Sequence, residues 1–552
     1  MNKFTKMMQA SLMLLFIAFL ASCSSPKAEL TAIPNDAGFV MIVDGKTLSE
    51  KGGVDNIAES KLYEKMLKEI PAEKMDDFKQ FEYIFKDSKE SGIGINDEFA
   101  VFVKMENSEP ILGLNFKVLD KTKVNALFEK VANKEDSEVK IINEDGLSYI
   151  VDPDNQAVII WNDAQLLIYA QFESANEGIL ATAKKLITQS SSESIASNSV
   201  YEDFYAKKKD ISAWFNYDLF LKNLAPGQQM LIASQMPFSL EGTYFYGYAD
   251  FQNGKVVVEY ESVLNDDMKN WMKKYQVIND DFDTDVLKMM PKTSYANMEW
   301  SINLLNYYHL FVDMYKEKQV DTEMYTAQVE KEIGMTIDEL LESFAGEMAI
   351  SLHAIEMKEK TSMSYGIDEE TGEFKMEEKT SMQPDAKYSA VIKFNNNAVW
   401  DLLEARATEM GLQKTNGYYS IPQAGILISY VNSTMLITND SALLINIIAN
   451  GSTDPNLGES DVASYLKKFP TYVELNMDLE KYPEEVRKEL ELQSDDVTPK
   501  LLQLLNTYKR LQIMPTSTTS AKMILELKDD SKNSLEVIIN NMTEAAMELS
   551  QN

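Results

Sequence analysis

The chain passes through one series of sequence patterns twice, and this repetition is the strongest constraint on its fold. Each series opens with an X-Pro pair and a strand-like run, Ile33 to Asp44 in the first and Met290 to Trp300 in the second. Two strands, a helix and a hairpin then follow in the same order. Their ranges are 99–103, 111–116, 121–132 and 157–168 in the first series, and 348–352, 389–394, 398–410 and 426–437 in the second. A shared order of this length predicts a duplicated fold.

Each series closes in a similar way. An Asn-x-Asp-Leu motif stands at Asn216 and again at Asn476, and a predicted pair of strands follows each copy. The predicted strand pairs are 243–249 with 255–262, and 522–527 with 534–540. The first pair is joined by Asn253-Gly254, which is a strong hairpin signal. Adjacent hairpins indicate antiparallel sheet. We therefore predict an α+β fold of two tandem, similarly ordered halves, each an antiparallel sheet with helices packed on one face.

The second series carries an insertion that the first lacks. It is flanked by two copies of one motif, Lys358 to Met363 and Glu377 to Met382, which predicts a long polar hairpin arm. The resulting domain prediction has five consecutive parts. They are a signal peptide (1–22), a tether (23–31), a first repeat (32–278), an acidic linker (279–285), and a second repeat (286–545) that contains the arm (353–387).

The only cysteine, Cys23, ends the tetrapeptide Leu-Ala-Ser-Cys. A basic start and an apolar run from Leu12 to Leu20 precede it, as in a secretory signal peptide. The run is far shorter than the roughly 20 residues that cross a bilayer. The pattern resembles the lipobox of bacterial lipoproteins. That resemblance implies a lipidated Cys23 as the first residue of the mature chain, and a membrane as the partner that the lipid engages.

The formal net charge of −34 restricts the possible partners. Phosphate backbones and anionic lipid surfaces repel such a body, which argues against nucleic-acid partners and leaves the lipid as the membrane anchor. With one cysteine, the chain can form no internal disulfide and no zinc site that needs several thiolates.

Residues suited to catalysis are few. The chain has two histidines, His309 and His353, and it has no Gly-x-Ser-x-Gly or His-Glu-x-x-His motif. Gly92 and Gly94 form only a fragment of a phosphate-binding loop. The acidic run from Asp281 to Asp285 begins like a calcium loop but lacks its glycine and its final glutamate.

Other polar motifs are interpreted as structural. Asp152 and Asp154 are typical of a turn, and an aspartate in each Asn-x-Asp-Leu motif is suited to capping a helix. Asp440-Ser441-Ala442 resembles a short O-glycosylation motif of some exported Bacteroidota proteins.

The segments Ala32 to Asp44 and Lys46 to Lys51 resemble a Bacteroidota lipoprotein family known only as domain of unknown function 4836. The resemblance implies a cell-envelope location, with the outer membrane favoured, and no known activity. The polyacidic export tag of many such lipoproteins does not follow Cys23, so periplasmic and surface-facing positions both stay open.

These observations predict an envelope lipoprotein with a binding or scaffolding role, and with no catalytic, cofactor or metal residue assigned. Its partner would be an envelope protein or a glycan. An envelope hydrolase that uses carboxylates in a cleft between the two halves is the alternative, since an acidic chain offers many carboxylate pairs. A chaperone-like role in envelope assembly is a third option.

Overall fold

The computed structural model describes residues 31–53, 88–106, 109–132, 140–152, 156–171, 178–222, 227, 230, 239–317, 323–367, 374–492 and 505–549. Cys23, the predicted signal peptide and nearly all of the tether lie outside these residues. Within them, no helix is long and apolar enough to cross a membrane.

The strands, in chain order, are β1 (Ala37–Asp44), β2 (Glu98–Glu106), β3 (Glu109–Lys117), β4 (Ile142–Glu144), β5 (Leu147–Val151), β6 (Ala157–Trp161), β7 (Gln165–Gln171), β8 (Ile211–Asn216), β9 (Tyr244–Gln252), β10 (Lys255–Val263), β11 (Ala296–Ser301), β12 (Phe344–Ile367), β13 (Phe374–Phe394), β14 (Lys414–Thr415), β15 (Tyr418–Ile421), β16 (Ile426–Val431), β17 (Thr434–Thr438), β18 (Thr471–Asn476), β19 (Tyr508–Ser517) and β20 (Ser520–Leu527).

The α-helices are α1 (Gly45–Gly52), α2 (Ser88–Ser91), α3 (Lys121–Ala132), α4 (Ile179–Thr188), α5 (Ser199–Ala206), α6 (Tyr217–Lys222), α7 (Asp266–Tyr275), α8 (Leu304–Glu317), α9 (Glu323–Ile333), α10 (Ile337–Glu342), α11 (Ala398–Glu409), α12 (Ser441–Asn450), α13 (Asp461–Leu466), α14 (Glu484–Leu492) and α15 (Ser534–Leu549). Short 3₁₀ helices cover Ile195–Ser197, Thr284–Met289, Leu457–Glu459 and Leu479–Lys481. This combination confirms the predicted α+β class.

The chain forms two compact units. Unit 1 combines residues 1–268 with 519–552, and unit 2 contains residues 269–518. The sheet of unit 1 has the strand order β4-β5-β6-β7-β3-β2-β1-β8-β9-β10-β20. The sheet of unit 2 has the order β14-β15-β16-β17-β13-β12-β11-β18-β19. All of these pairs are antiparallel. The order β4 to β9 in one unit thus matches β14 to β19 in the other, strand for strand.

The unit bounds differ from the predicted repeats at both joins. Residues 279–285, predicted as a linker, lie inside unit 2, where Phe282 is buried in the core. Residues 519–545, predicted in the second repeat, belong to unit 1 because β20 pairs with β10 along its whole length.

The predicted strand 534–540 is instead the start of helix α15. The side chain of Asn533 accepts a hydrogen bond from the backbone N–H of Leu535 and so caps the helix. Leu535 and Ile539, four residues apart, both join an apolar core of unit 1. The β-branched run Val-Ile-Ile therefore misled the sequence prediction, because tertiary packing overrides local propensity.

Helices pack on both faces of each sheet, rather than on one face as predicted. In unit 1, α4 and α5 cover the face that carries Val40 and Ile42, while α1, α3 and α15 cover the face that carries Val43. The reason is the unbroken apolar run of β1, which puts hydrophobic side chains on both faces of the strand. In unit 2, α12 and α13 cover one face and α11 packs on the other.

The predicted arm is a continuation of β12 and β13 beyond the sheet. The two strands pair from Ala354–Lys387 out to Ile367–Phe374. At its middle the repeated motif pairs with its own second copy, since Thr361 faces Thr380 and their hydroxyl oxygens lie 3.1 Å apart. Within the described residues, no other strand pairs with this part of the hairpin.

Candidate functional site

A row of polar side chains crosses one face of the unit 2 sheet. Its members occupy directly opposed positions on six neighbouring strands, β17, β13, β12, β11, β18 and β19. They are Thr438, Ser389, Ser351, Asn297, Glu474 and Gln512. We call this row, together with Glu299 two residues further along β11, the polar band. The first four members and Glu299 are buried, whereas Glu474 and Gln512 are partly exposed.

The same row in unit 1 is apolar or aromatic with a single glycine. Equivalent positions follow from the shared strand order and register. They hold Tyr169, Gly113, Phe102, Val40, Trp214 and Tyr246. Ile42 stands where unit 2 has Glu299. Five of these residues are core members under α4 and α5, as is Ile42. The fold therefore accepts an apolar row at this place, and the polar band of unit 2 is not a requirement of the architecture.

Glu299 is the most unusual residue of the band. Its side chain is fully buried, and neither carboxyl oxygen has a hydrogen-bond partner among the described residues. Burial raises the pKa of Glu299 well above its ordinary value of 4.5, and the neighbouring Glu474 adds to the rise. Burial therefore favours the neutral form of Glu299, because an isolated buried carboxylate is costly to maintain.

Glu474 is held very differently. Its Oε2 atom accepts hydrogen bonds from the Tyr472 hydroxyl (2.5 Å), the Gln512 amide (3.2 Å) and the Arg510 guanidinium (3.3 Å). Glu299 and Glu474 are diagonal neighbours on adjacent strands, because Glu474 faces Asn297 while Glu299 faces Tyr472. The band thus combines a buried carboxyl group without a partner among the described residues and a second carboxyl group that accepts three hydrogen bonds.

Other buried oxygens adjoin Glu299. The Oδ1 atom of Asn297 and the hydroxyl of Ser351 have no hydrogen-bond partner within the described ranges, and the same is true of one carboxyl oxygen of Glu347. Buried polar atoms are normally paired, so this group of unpaired oxygens on one sheet face calls for an explanation.

An aromatic pair bounds the band at one end. Tyr295 immediately precedes β11, two residues before Asn297. Its ring is 4.5 Å from that of Tyr482, and its hydroxyl donates to the Lys481 carbonyl.

The structure places the two histidines apart, in roles that sequence did not reveal. His309 is exposed on α8 beside Asp338. His353 lies at the base of the arm, where its Nε2 atom is 3.2 Å from Asp440 Oδ2 and its side chain is only 5% exposed. Asp440 also caps α12 by accepting from the N–H groups of Ala442 and Leu443. The predicted modification motif is therefore also a helix start.

The remaining motifs from the sequence have structural roles. Gly92 adopts a positive φ and packs against the Asp120 carbonyl. Asp283 caps the 3₁₀ helix at 284–289 and pairs with Lys393. Within the part of the chain that is described, no three His, Cys, Asp or Glu side chains are close enough to hold a metal ion. Asp154 lies outside the described residues.

The two Asn-x-Asp-Leu motifs cap in different ways. In unit 2, Asp478 caps the 3₁₀ helix 479–481, as predicted. In unit 1, Asn216 caps helix α6 by accepting a hydrogen bond from the Leu219 backbone N–H. Asp218 lies within α6 and forms an ion pair with Lys222.

Unit 1 has one prominent ionic cluster. Lys51 at the end of α1 donates to Asp210 (2.7 Å) and to Asp250 (2.7 Å). Burial lowers the pKa of Lys51, but hydrogen bonds from its ammonium to the two carboxylates outweigh burial, so the net shift is upward. Asp210 also accepts from the Phe251 N–H, which ties α1 to strands β8 and β9.

Sequence analysis did not single out Asn297, Glu299, Ser351 or Glu474. The signal that could have found them is the alignment of the two halves. The motif at 216 and 476 sets Trp214 against Glu474, and the two X-Pro openings set Ile42 against Glu299. Apolar-to-charged replacements at buried positions of a repeat mark a place where the copies have diverged in role.

The fold and site define an α+β protein with a duplicated antiparallel sheet and a buried polar band in its second copy. The chain belongs to the family described as domain of unknown function (DUF4836), whose model matches residues 30–535. This finding confirms the family that the sequence resemblance indicated.

Two solved structures show a limited similarity. Crystal form IV of TP0453 has a TM-score of 0.25 at 10% identity, covering 46% of this chain and 86% of that one. Crystal form I of TP0453 has a TM-score of 0.23 at 7% identity, with 43% and 80% coverage. TM-scores this low do not establish a shared fold. Comparison with curated proteins finds no match.

Proposed function

We propose that this protein is a lipid-anchored binding module of a bacterial cell envelope, and that its ligand site is the polar band of unit 2. The anchor rests on the lipobox-like sequence that ends at Cys23. The membrane that we propose for the anchor is the outer membrane. The acidic body then extends from the membrane surface, which repels it.

The observation that carries the binding role is the contrast between the two sheets. Unit 1 folds with Val40, Ile42 and Trp214 at positions where unit 2 has Asn297, Glu299 and Glu474. Burying polar groups without partners costs roughly 1–3 kcal/mol for each group. Residues that reduce stability at a site where the fold accepts apolar ones are typical of a functional site.

The chemistry of the band is suited to a small, hydroxyl-rich ligand such as a glycan. Glu474 and Gln512 at its partly exposed end offer hydrogen-bonding groups, and the Tyr295–Tyr482 pair offers an aromatic surface. Ligand sites commonly combine aromatic walls with a few convergent polar groups.

The anchor is tested with Cys23→Ala in the native host. We expect wild-type protein in the membrane fraction and the variant in the soluble fraction, with mass spectrometry showing a lipid on Cys23 of the wild type. Wild-type protein with a free thiol and residues 1–22 still attached would contradict the anchor.

The ligand site is tested with the variant Asn297→Val/Glu299→Ile, which copies the residues of unit 1. The probes are soluble glycan fragments from the host envelope, and the readout is the shift in melting temperature of the full chain. We expect the fragments to stabilise wild type and not the variant, although the variant itself folds. Lys46→Met on the surface of unit 1 is the matched control and should respond like wild type.

A hydrolase is the second candidate, and one observation favours it. Burial favours the neutral form of Glu299, while its diagonal neighbour Glu474 accepts a hydrogen bond from the Arg510 guanidinium, an arrangement suited to an acid and a base. Incubation with the same glycan fragments separates the two functions. New reducing ends that disappear in both Glu299→Gln and Glu474→Gln would identify an enzyme, whereas binding without product would support the binding module.

A further inference from the structure

The buried end of the polar band contains several oxygen atoms without a hydrogen-bond partner among the described residues. Asn297 is 4% exposed, and Glu299 and Ser351 are fully buried. Four of their oxygen atoms, Asn297 Oδ1, both Glu299 carboxyl oxygens and Ser351 Oγ, have no hydrogen-bond partner among the residues that the structure describes. We call these three residues the oxygen cluster.

The cluster is compact by virtue of its strand register. Asn297 and Ser351 face each other across β11 and β12, so their Cβ atoms are about 5 Å apart. Glu299 lies on the same face as Asn297, two residues further along the strand, and its longer side chain can reach toward both. Glu474, directly across from Asn297 on the other side, is 20% exposed, so the solvent-accessible end of the band adjoins the cluster.

The nearby basic side chains are already engaged elsewhere. Lys387, on the same face of β13, lies 3.0 Å from Asp385, and Lys393 pairs with Asp283. Arg510 donates to Glu474. Each of these three basic side chains thus already has an acidic partner.

We propose that the oxygen cluster binds a primary ammonium group of the ligand. This inference rests on the proposed binding function and names its ligand class. An ammonium group carries three N–H donors and one positive charge. The Asn297 amide oxygen, the Ser351 hydroxyl and a Glu299 oxygen supply three acceptors, and Glu299 supplies the opposite charge.

Binding of this kind requires Glu299 to ionise. The ligand arrives as an ammonium ion, the carboxyl proton of Glu299 passes to the buffer, and the carboxylate then pairs with the ammonium. A bound cation favours the charged carboxylate, which reverses the effect of burial. With Glu299 protonated in the free protein, each ligand bound releases one proton. A metal ion fits less well, since the described residues offer no group of three acidic or histidine ligands close together.

The ammonium group could belong to an amino sugar or to the side chain of an envelope peptide, and matched probes distinguish the two sources. Glucosamine is compared with glucose and with N-acetylglucosamine. The Nα-acetyl amide of lysine is compared with that of norleucine, which has the same chain without the amine. Titration calorimetry of the full-length protein, in two buffers of different ionisation enthalpy, measures affinity and proton release together.

We expect wild type to bind one of the two amines about tenfold or more tightly than its amine-free counterpart, with release of close to one proton. Glu299→Gln should remove both the preference and the proton release, and Ser351→Ala should weaken amine binding by a few fold. Equal binding of each amine and its amine-free counterpart, in both probe pairs, would overturn the ammonium assignment and leave the proposed glycan function in place.

Two further outcomes also decide the matter. If the amines fail to bind while envelope glycan fragments still stabilise wild type and not Asn297→Val/Glu299→Ile, the ammonium assignment alone is wrong. If calcium chloride stabilises wild type but not Glu299→Gln and the amines have no effect, the cluster is a metal site and the assignment is overturned. Failure of every amine and every fragment would reject the proposed function itself.

Discussion

Trp214 and Glu474 occupy equivalent positions in the two sheets, whose strands β4 to β9 and β14 to β19 follow the same order. Trp214 faces Val40 on β1 and Glu474 faces Asn297 on β11. The indole is fully buried in an aromatic core, with Tyr201 at 5.7 Å and Tyr244 at 5.5 Å between ring centroids. The carboxylate instead accepts hydrogen bonds from three polar side chains. One architecture thus supports an apolar core in unit 1 and a polar band in unit 2.

Replacing Glu299 with isoleucine, the residue of unit 1 at this position, should stabilise the protein. The change removes a buried carboxyl group without a partner and adds apolar contacts, for an expected gain of about 1–3 kcal/mol in the free energy of unfolding. Chemical denaturation of both proteins measures it. Loss of stability would show that Glu299 has a compensating partner in solution.

The stability contribution of Glu299 should depend on pH. Because its pKa is raised in the folded state, the folded protein holds this proton more tightly than the unfolded chain does. The stabilisation that comes from this tighter proton binding is fully present below pH 4.5, the ordinary pKa. It is lost as the pH rises from there toward the raised pKa of the folded state. The free energy of unfolding of Glu299→Gln, relative to wild type, should therefore rise with pH above 4.5, by up to about 1.4 kcal/mol per unit. A difference independent of pH would contradict the raised pKa.

The ionic cluster of unit 1 should depend strongly on Lys51. Lys51→Met leaves Asp210, whose side chain is only 6% exposed, without its cation, and we expect a loss of about 3 kcal/mol. Lys46→Met is the control on the same helix, because the Lys46–Glu50 pair is longer (3.8 Å) and more exposed, so its loss should cost under about 0.5 kcal/mol. If the two substitutions shift the denaturant midpoint equally, the ion pairs of Lys51 do not have the stabilising role proposed here.

Gly113 should not tolerate the serine that unit 2 carries at the same position. A Cβ atom on Gly113 would overlap the Phe102 ring, so Gly113→Ser should destabilise the protein by about 2 kcal/mol. In unit 2 the facing residue is Ser351, which leaves room for Ser389. Gly113→Ser should therefore cost little in a Phe102→Ser background, and a double-mutant cycle measures the coupling. Additive effects would mean that the ring does not block this position.

Much of the fold was predictable because local signals and global topology agree. The helices α3 and α11, the hairpin arm and the hairpins β6–β7 and β16–β17 lie where apolar periodicity and turn residues place them. The prediction was wrong at 534–540, where β-branched residues favour a strand but packing of Leu535 and Ile539 requires a helix. The bounds of the two units also differed, since pairing of β20 with β10 joins segments far apart in sequence.

The amino-acid sequence alone determined the class of fold, the repeated order of its elements and the family, because these depend on periodicity, turn chemistry and motif order along the chain. The tertiary structure decided the polar band. Asn297, Ser351 and Glu474 come from separate strands, and only the sheet register brings them into one row. Burial is likewise a property of packing and not of local sequence, and it favours the neutral form of Glu299, which has no hydrogen-bond partner among the described residues.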